Sequence, residues 1–317
     1  MAKPPRVVAF GECMLELQGQ AFGTMRQGFG GDTLNTAVYM ARCGSGRSQR
    51  LRVDYATALG TDGLSDGLIE RWLAEGVGVE LVRRLPDRMP GLYLIELQAG
   101  GERRFSYWRE QAAARAYFDV ASTPLEAAAD TIDALYFSGI SLAILPPAGR
   151  ARLLGLAAAL RDRGAMVVFD NNFRPRLWPT LAAAREAFRA ATQIATLALM
   201  TLDDETALWG HADEAAALQQ TLALPCAEVV VKRGARPTVV RISGQPPLEV
   251  PTVRVQQVVD TTAAGDSFGG AYLAARLTGA APTQAAMRGN ALAARVVQHH
   301  GALIDAALMA DLLDAPA

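Results

Sequence analysis

Val258-Val259-Asp260-Thr261-Thr262-Ala263-Ala264-Gly265-Asp266-Ser267-Phe268-Gly269-Gly270 decides how this chain is read. A β-branched strand end at Val258 and Val259 gives way to small residues and then to a helical pattern. Phe268, Ala271, Tyr272 and Ala275 recur on one helical face, which predicts a helix starting near Gly265. The turn ahead of such a helix aims backbone N–H groups outward at the positive end of the helix dipole, a geometry that binds phosphate. Asp266 is anomalous there. Its carboxylate repels an anion unless it accepts the proton of an attacking hydroxyl. An Asp in a first turn also stabilises a helix by itself, and these residues alone leave both roles open.

Outward from this segment, strands and helices alternate. Arg6–Phe10 reads as a buried strand, and a Gly-rich bend at Gly28–Gly31 leads to Asp32-Thr33, which can cap a helix closed by Gly44. Tyr55–Leu59 is a further strand, and Ser65 opens a helix. Between about Val79 and Tyr117 the pattern changes: Gly91–Ile95 and Arg104–Trp108 flank Ala99-Gly100-Gly101-Glu102, a β-hairpin signature. With Leu15–Arg26 it would form a small separate sheet. Strands are then expected at Ala134–Ser138, Met166–Asp170, Ile194–Met200 and Glu228–Lys232. A second hairpin follows at Thr238–Ile242 and Leu248–Val250, and Met287, Ala291, Ala294 and Val297 mark the apolar stripe of a late helix. Such alternation argues for an α/β fold with a mostly parallel sheet flanked by helices.

The 317 residues are 50% hydrophobic and 20% charged, so a chain of this size can bury roughly 75% of its unfolded surface. With no linker or repeat, the expectation is one domain over 1–317, with segments near 13–29 and 79–117 forming a lid. A net charge of -1 gives no electrostatic reason to expect nucleic acid or an anionic membrane as partner. Three cysteines and three histidines suggest neither a disulfide framework nor a metal cluster. The start lacks a signal-peptide core and no run is apolar enough to span a membrane, so a cytoplasmic location is expected.

Three other segments carry chemistry. Gly30-Gly31-Asp32-Thr33-Leu34-Asn35 allows close backbone approach and offers Asp32 and Asn35 to a hydroxylated ligand, or is a capped helix start. Asp170-Asn171-Asn172-Phe173-Arg174-Pro175-Arg176 places polar groups at a strand's carboxyl end, where open α/β sheets bind ligands. Arg174 there can pair with a carboxylate or phosphate, or lie on the surface. Lys232-Arg233-Gly234-Ala235 is a basic turn after a strand, facing nucleotide phosphates or solvent. Neither a P-loop nor a dinucleotide fingerprint is present.

In this order the segments resemble the ribokinase-like (PfkB) carbohydrate kinases. That family's Asp-Thr-x-Gly-Ala-Gly-Asp appears as Asp260 to Asp266, and its Gly-Gly-x-x-x-Asn as Gly30 to Asn35. Gly11–Glu16, Gly31–Ala37 and Asp170–Trp178 look like the subgroup acting on 2-keto-3-deoxygluconate. Ala263 stands where the wider family has Gly, which a negative φ would accommodate. Leu202-Asp203-Asp204-Glu205 only approximates the family's Asn-x-x-Glu, so no metal-contacting residue is assigned.

The resemblance implies ATP-dependent phosphorylation, with Mg²⁺, of the 6-hydroxyl of a sugar acid. Asp266 would be the base, and the backbone of Ala263, Ala264 and Gly265 with Asp266 would bind the transferring phosphoryl group. Gly31, Asp32, Asn35, Tyr93, Tyr107, Arg109 and Arg174 would meet the substrate, the arginines taking its carboxylate. Asn172, Lys232, Arg233, Gly234, Ala264, Gly265 and Asn290 would surround ATP. The small sheet would close as a lid and pair with another copy to make a homo-oligomer. A kinase for fructose, ribose or ketodeoxygalactonate, or a silent sugar-binding protein on the same fold, are the competing readings.

Overall fold

The computed structural model describes residues 3–45, 51–97 and 103–313. Fourteen strands are present among them: β1 Arg6–Phe10, β2 Met14–Gly19, β3 Met25–Gly30, β4 Arg52–Leu59, β5 Val77–Gly78, β6 Val82–Arg84, β7 Gly91–Leu97, β8 Arg103–Trp108, β9 Ala134–Ser138, β10 Met166–Asp170, β11 Leu197–Thr201, β12 Glu228–Arg233, β13 Arg236–Ile242 and β14 Leu248–Val250. The large sheet runs β14-β13-β12-β11-β10-β9-β1-β4-β5, with β6 also on β4. It is parallel from β12 to β5 and antiparallel only at β13 and β14.

The central strands are apolar throughout because helices cover both faces. Successive residues alternate between the two cores: Val8, Phe10, Leu135, Phe137, Val167 and Phe169 pack on one side, and Val7, Ala9, Tyr136, Val168 and Leu199 on the other. On the second side the Asp32–Cys43 helix lies against the Ala264–Leu277 helix. The approach is close because Gly270 has no side chain. A Cβ there would meet Tyr39 Cβ at 2.6 Å and the Thr36 carbonyl oxygen at 2.8 Å.

The small sheet, β3-β2-β7-β8, is separate. β2 pairs in parallel with β7, while β3 and β8 are antiparallel to their neighbours. The expected hairpin is therefore present, although its Ala99–Glu102 turn lies outside the described residues.

Several local expectations are corrected. Val258 and Val259 are not a strand: the Val259 and Asp260 N–H groups both reach Val297 O, so this segment pairs with the end of the late helix instead of a sheet edge. Gly28 and Gly30 belong to β3, and Gly31 alone makes the turn. Asp32 is the first helical residue, and Gly31 rather than Asp32 holds the cap position. Asp62, not Ser65, caps the second helix through the N–H groups of Leu64 and Ser65. Ile194 ends a helix, and β11 begins at Leu197. The late helix, Pro282–Val296, buries Ala285, Ala286, Gly289, Asn290, Leu292, Ala294 and Val296. Of the expected stripe Ala294 is buried, whereas Met287 is 56% exposed.

Candidate active site

β1, β9, β10, β11 and β12 run parallel, so their carboxyl ends share one edge of the sheet. Glu12, Ser138, Asp170–Asn172, Thr201 and Lys232 all lie at this edge, together with the first turns of the Asp32–Cys43 and Ala264–Leu277 helices. Such an edge is where open α/β sheets bind ligands. The two glycine-bearing signatures meet here: Asn35 Nδ2 donates to Asp266 Oδ2 at 2.9 Å. Burial first, then the nearby Asp32 carboxylate, pushes the Asp266 carboxyl up to about 7, against the lowering hydrogen bond from Asn35. A half-buried carboxyl at that value is matched to accepting a proton near neutral pH.

The turn before Asp266 departs from its expected conformation. Ala263 has φ 59° and ψ 16°, the left-handed region, rather than a negative φ. The Ala264 N–H closes the turn onto Thr261 O at 3.2 Å. It is therefore committed, whereas the N–H groups of Gly265 and Asp266 make no hydrogen bond among the described residues. These are orphan donors of a helix start, aimed where an anion would sit. Lys232 supplies the cation beside them. Its Nζ lies 3.4 Å from where a Gly265 Cβ would be and is held at 3.0 Å by buried Asp170 Oδ2.

The remaining expected residues divide. Asp32 Oδ2 accepts from Ser138 Oγ at 2.5 Å and Asn172 Nδ2 at 2.8 Å. Burial raises the Asp32 carboxyl above its usual range, with Ser138 and the Thr33 backbone opposing. Asn172 is thus tied to Asp32 rather than turned toward a nucleotide. Tyr93 stands over Gly30, its hydroxyl 3.0 Å from where a Gly30 Cβ would be, and donates to Glu16. Tyr107 stacks on Tyr93 with ring centroids 6.0 Å apart. Gly31 passes so near the Glu12 carbonyl oxygen that a Cβ would lie 2.1 Å from it.

The two arginines each have a carboxylate already. Arg109 pairs with fully buried Glu12, though its Nε is buried without a partner. Arg174 is 53% exposed at the side chain and reaches Asp204 Oδ1 at 3.4 Å. Two residues expected near the nucleotide carry internal ties. Arg233 donates to Pro237 O and Glu249, and so closes the β12–β13 hairpin. Asn290 is buried with all its groups occupied: it accepts from Thr238 Oγ1 and donates to Val250 O and Pro251 O. Gly234 sits at the hairpin turn with φ 62°.

Sequence reasoning passed over Ser138 and the role of Glu12, although each is a polar residue just at or after the end of an apolar strand at the ligand edge. It also gave Glu205 no setting. Glu205 accepts from Asn171 Nδ2 at 3.1 Å and Trp209 Nε1 at 3.0 Å, and burial pushes it up to about 7. Among the described residues no group of three or more His, Cys, Asp and Glu forms a metal cage, and no helix is long and apolar enough to cross a membrane.

The arrangement joins a carboxyl raised to about 7, unpartnered N–H groups at a helix start and a lysine, groups of the kinds that phosphoryl transfer to a hydroxyl uses. Comparison with known proteins agrees. Residues 4–307 match the pattern described as pfkB family carbohydrate kinase. The chain is 46% identical over 307 residues to 2-dehydro-3-deoxygluconokinase of Dickeya dadantii, covering 94% of this chain and 96% of that one. It is 44% identical over 302 residues to the protein of the same name from Escherichia coli K12, covering 94% and 97%. Aminoimidazole riboside kinase from Salmonella enterica, solved with aminoimidazole riboside and an ATP analogue, superposes with a TM-score of 0.81 at 23% identity, over 98% of this chain and 100% of that one. Its likeness establishes the ribokinase-like fold. The chain belongs to the pfkB family of carbohydrate kinases.

Proposed function

We propose that this protein transfers the γ-phosphoryl group of ATP to the 6-hydroxyl of 2-keto-3-deoxygluconate, giving 2-keto-3-deoxy-6-phosphogluconate and ADP. The observation that carries the chemistry is the Asn35–Asp266 contact at the start of the Ala264–Leu277 helix. The substrate follows from relatives named 2-dehydro-3-deoxygluconokinase, 39% to 46% identical over 94% to 95% of this chain.

Asp266 takes the proton of the 6-hydroxyl as that oxygen bonds to the γ-phosphorus and the bond to the β,γ-bridging oxygen breaks. Phosphoryl transfer is loose, so Asp266 chiefly aligns the oxygen and receives its proton late. The free N–H groups of Gly265 and Asp266, with Lys232, receive the charge on the transferring group. Mg²⁺ would enter with ATP as part of the nucleotide substrate and would offset the charge of its phosphates. No protein cage is required.

The small sheet acts as a lid, with Tyr93 and Tyr107 packing on the substrate's carbon chain and limiting hydrolysis of ATP. Arg109 and Arg174 serve the substrate carboxylate, Arg109 through its unpartnered Nε and Arg174 by leaving Asp204. Trp108, 59% exposed on the other face of β8, belongs to the surface on which a second copy would pair.

An ADP-release assay across 2-keto-3-deoxygluconate, 2-keto-3-deoxygalactonate, fructose and ribose tests the reading. The expected result is turnover of the ketodeoxy acids far above the neutral sugars. Preference for fructose or ribose would refute it.

A further inference from the structure

We propose that Ser138 and Asn172 are positioning residues on the sugar side of the site: together they fix the Asp32 carboxylate as acceptor of a substrate hydroxyl. The proposal rests on the kinase reading above, and it assigns Asn172 to the sugar acid rather than to ATP.

Asp32 is the first residue of its helix, and its carboxylate takes one bond from the Thr33 backbone and two from outside the helix. Both donors on Oδ2 come from other parts of the fold. Ser138 ends β9 and is fully buried. Its oxygen accepts from the Ser141 N–H at 3.2 Å, capping the next helix, while its proton goes to Asp32. The Asn172 N–H is held by Asn171 Oδ1 at 2.9 Å. Asn171 in turn is clamped by the Thr201 N–H, Thr201 O and Glu205. These bonds keep Asn172 at φ 25°, a positive angle that Asn tolerates better than most residues. The amide therefore has little freedom to turn elsewhere.

Both side-chain donors go to Oδ2, and the Thr33 backbone N–H supplies a third bond to the carboxylate, which leaves capacity for a further donor. One turn further along the same helix face, Asn35 Oδ1 is a buried acceptor with no partner. A carboxylate with acceptor capacity left, beside an unpartnered amide oxygen, calls for a ligand rich in donors. A hydroxylated carbon chain supplies them, whereas nucleotide phosphates have none and are repelled by an ionised Asp32. The same two acceptors flank Asp266, the group that must receive the reacting hydroxyl. Charge-assisted bonds from Ser138 and Asn172 hold Asp32 in one rotamer, so that it need not be ordered when substrate arrives.

Steady-state kinetics on the full chain test this, with 2-keto-3-deoxygluconate varied at saturating ATP and ATP varied at saturating sugar acid. Asn172→Gly keeps the positive φ and deletes the amide; Ser138→Ala deletes the other donor from a different strand. Each is expected to raise KM for the sugar acid about tenfold while leaving KM for ATP within about twofold. Asn172→Asp is the sharper case. It is isosteric, so a space-filling role would survive it, yet it sets a carboxylate against Asp32 and is expected to raise the sugar-acid KM more than Asn172→Gly. A raised KM for ATP with the sugar-acid KM unchanged, or a wild-type Asn172→Asp, overturns the proposal while the kinase reading stands. Absence of wild-type turnover on the sugar acid overturns both.

Discussion

The Asn35 amide donates to the Asp266 carboxylate at 2.9 Å, joining residues 231 positions apart across the two helices that meet at Gly270. The bond leaves Asp266 oriented by Asn35 but still able to take a proton, because burial and Asp32 outweigh it. Replacing Asp266 by Asn preserves shape and removes the acceptor. Turnover should fall by about 10²–10⁴-fold, with KM values for ATP and sugar acid changed much less. Retention of wild-type kcat would remove Asp266 from the mechanism.

The same carboxyl sets a pH dependence. A proton acceptor held near 7 is protonated and idle in acid, so kcat/KM should decline below about pH 7, approaching tenfold per unit. For stability the sign is opposite. A carboxyl raised in the folded state favours folding when protonated, and that advantage disappears as pH rises from about 4 to 7. Asp266→Asn should therefore be more stable than wild type at pH 8, by roughly 1–3 kcal/mol after solvent screening of a half-buried group. Chemical denaturation at pH 5 and pH 8 measures this; a gain confined to pH 5 would reverse the assignment.

Gly270 is the hinge of the packing argument. In Gly270→Ala the new methyl would meet Tyr39 and the Thr36 backbone well inside contact distance. The helices must then separate, at a cost of about 1–3 kcal/mol, and Asn35 is drawn from Asp266. Thermal unfolding and kcat should both drop. Full kcat in a destabilised variant would show that the Asn35–Asp266 contact does not depend on this spacing.

How much of this was legible beforehand follows the range of each interaction. The α/β alternation, both hairpins and the Gly265 helix start depend on residues within a few positions, and most strands are found where period and turn residues put them, Val258–Val259 excepted. Asp266, Asn35 and Lys232 were recognisable as residue types at strand ends or helix starts. The internal ties of Arg233 and Asn290 were not legible, because their partners, Glu249 and the β13–β14 edge, are set by the tertiary fold. Ser138 went unnoticed for a related reason: its partner Asp32 is 106 positions away. Ala263 shows the limit of residue type itself, since Ala gives no local sign of a left-handed turn.

Lys232 and Asp170 form a buried pair beside the helix start, and the two should separate stability from chemistry. Lys232→Met leaves the Asp170 carboxylate buried without its cation, costing about 3–5 kcal/mol. Adding Asp170→Asn removes the stranded charge and should recover most of that loss. Turnover should stay low in the double variant, because the cation facing the phosphoryl group is still missing. A stable double variant with wild-type kcat and KM for ATP would reduce Lys232 to a structural role.

Ala263 carries a backbone cost that a single substitution can relieve. A non-glycine residue in the left-handed region costs about 1–2 kcal/mol, and Ala263 sits there at φ 59° directly before the catalytic helix. Glycine removes the clash but adds freedom to the unfolded chain, offsetting about 0.4–1 kcal/mol. Ala263→Gly should thus stabilise the protein by about 0.5–1 kcal/mol, a rise in Tm of roughly 1–4 °C. Its effect on catalysis separates two uses of the strain. If Ala263 serves to keep the Gly265 and Asp266 N–H groups aimed, the freer glycine turn lowers kcat while Tm rises. Such a trade is the expected outcome, because the freer glycine loosens a turn otherwise held by the Ala264–Thr261 and Ser267–Ala263 backbone bonds. A gain in Tm with kcat unchanged would mean that these bonds suffice, and a fall in Tm would contradict the strain itself.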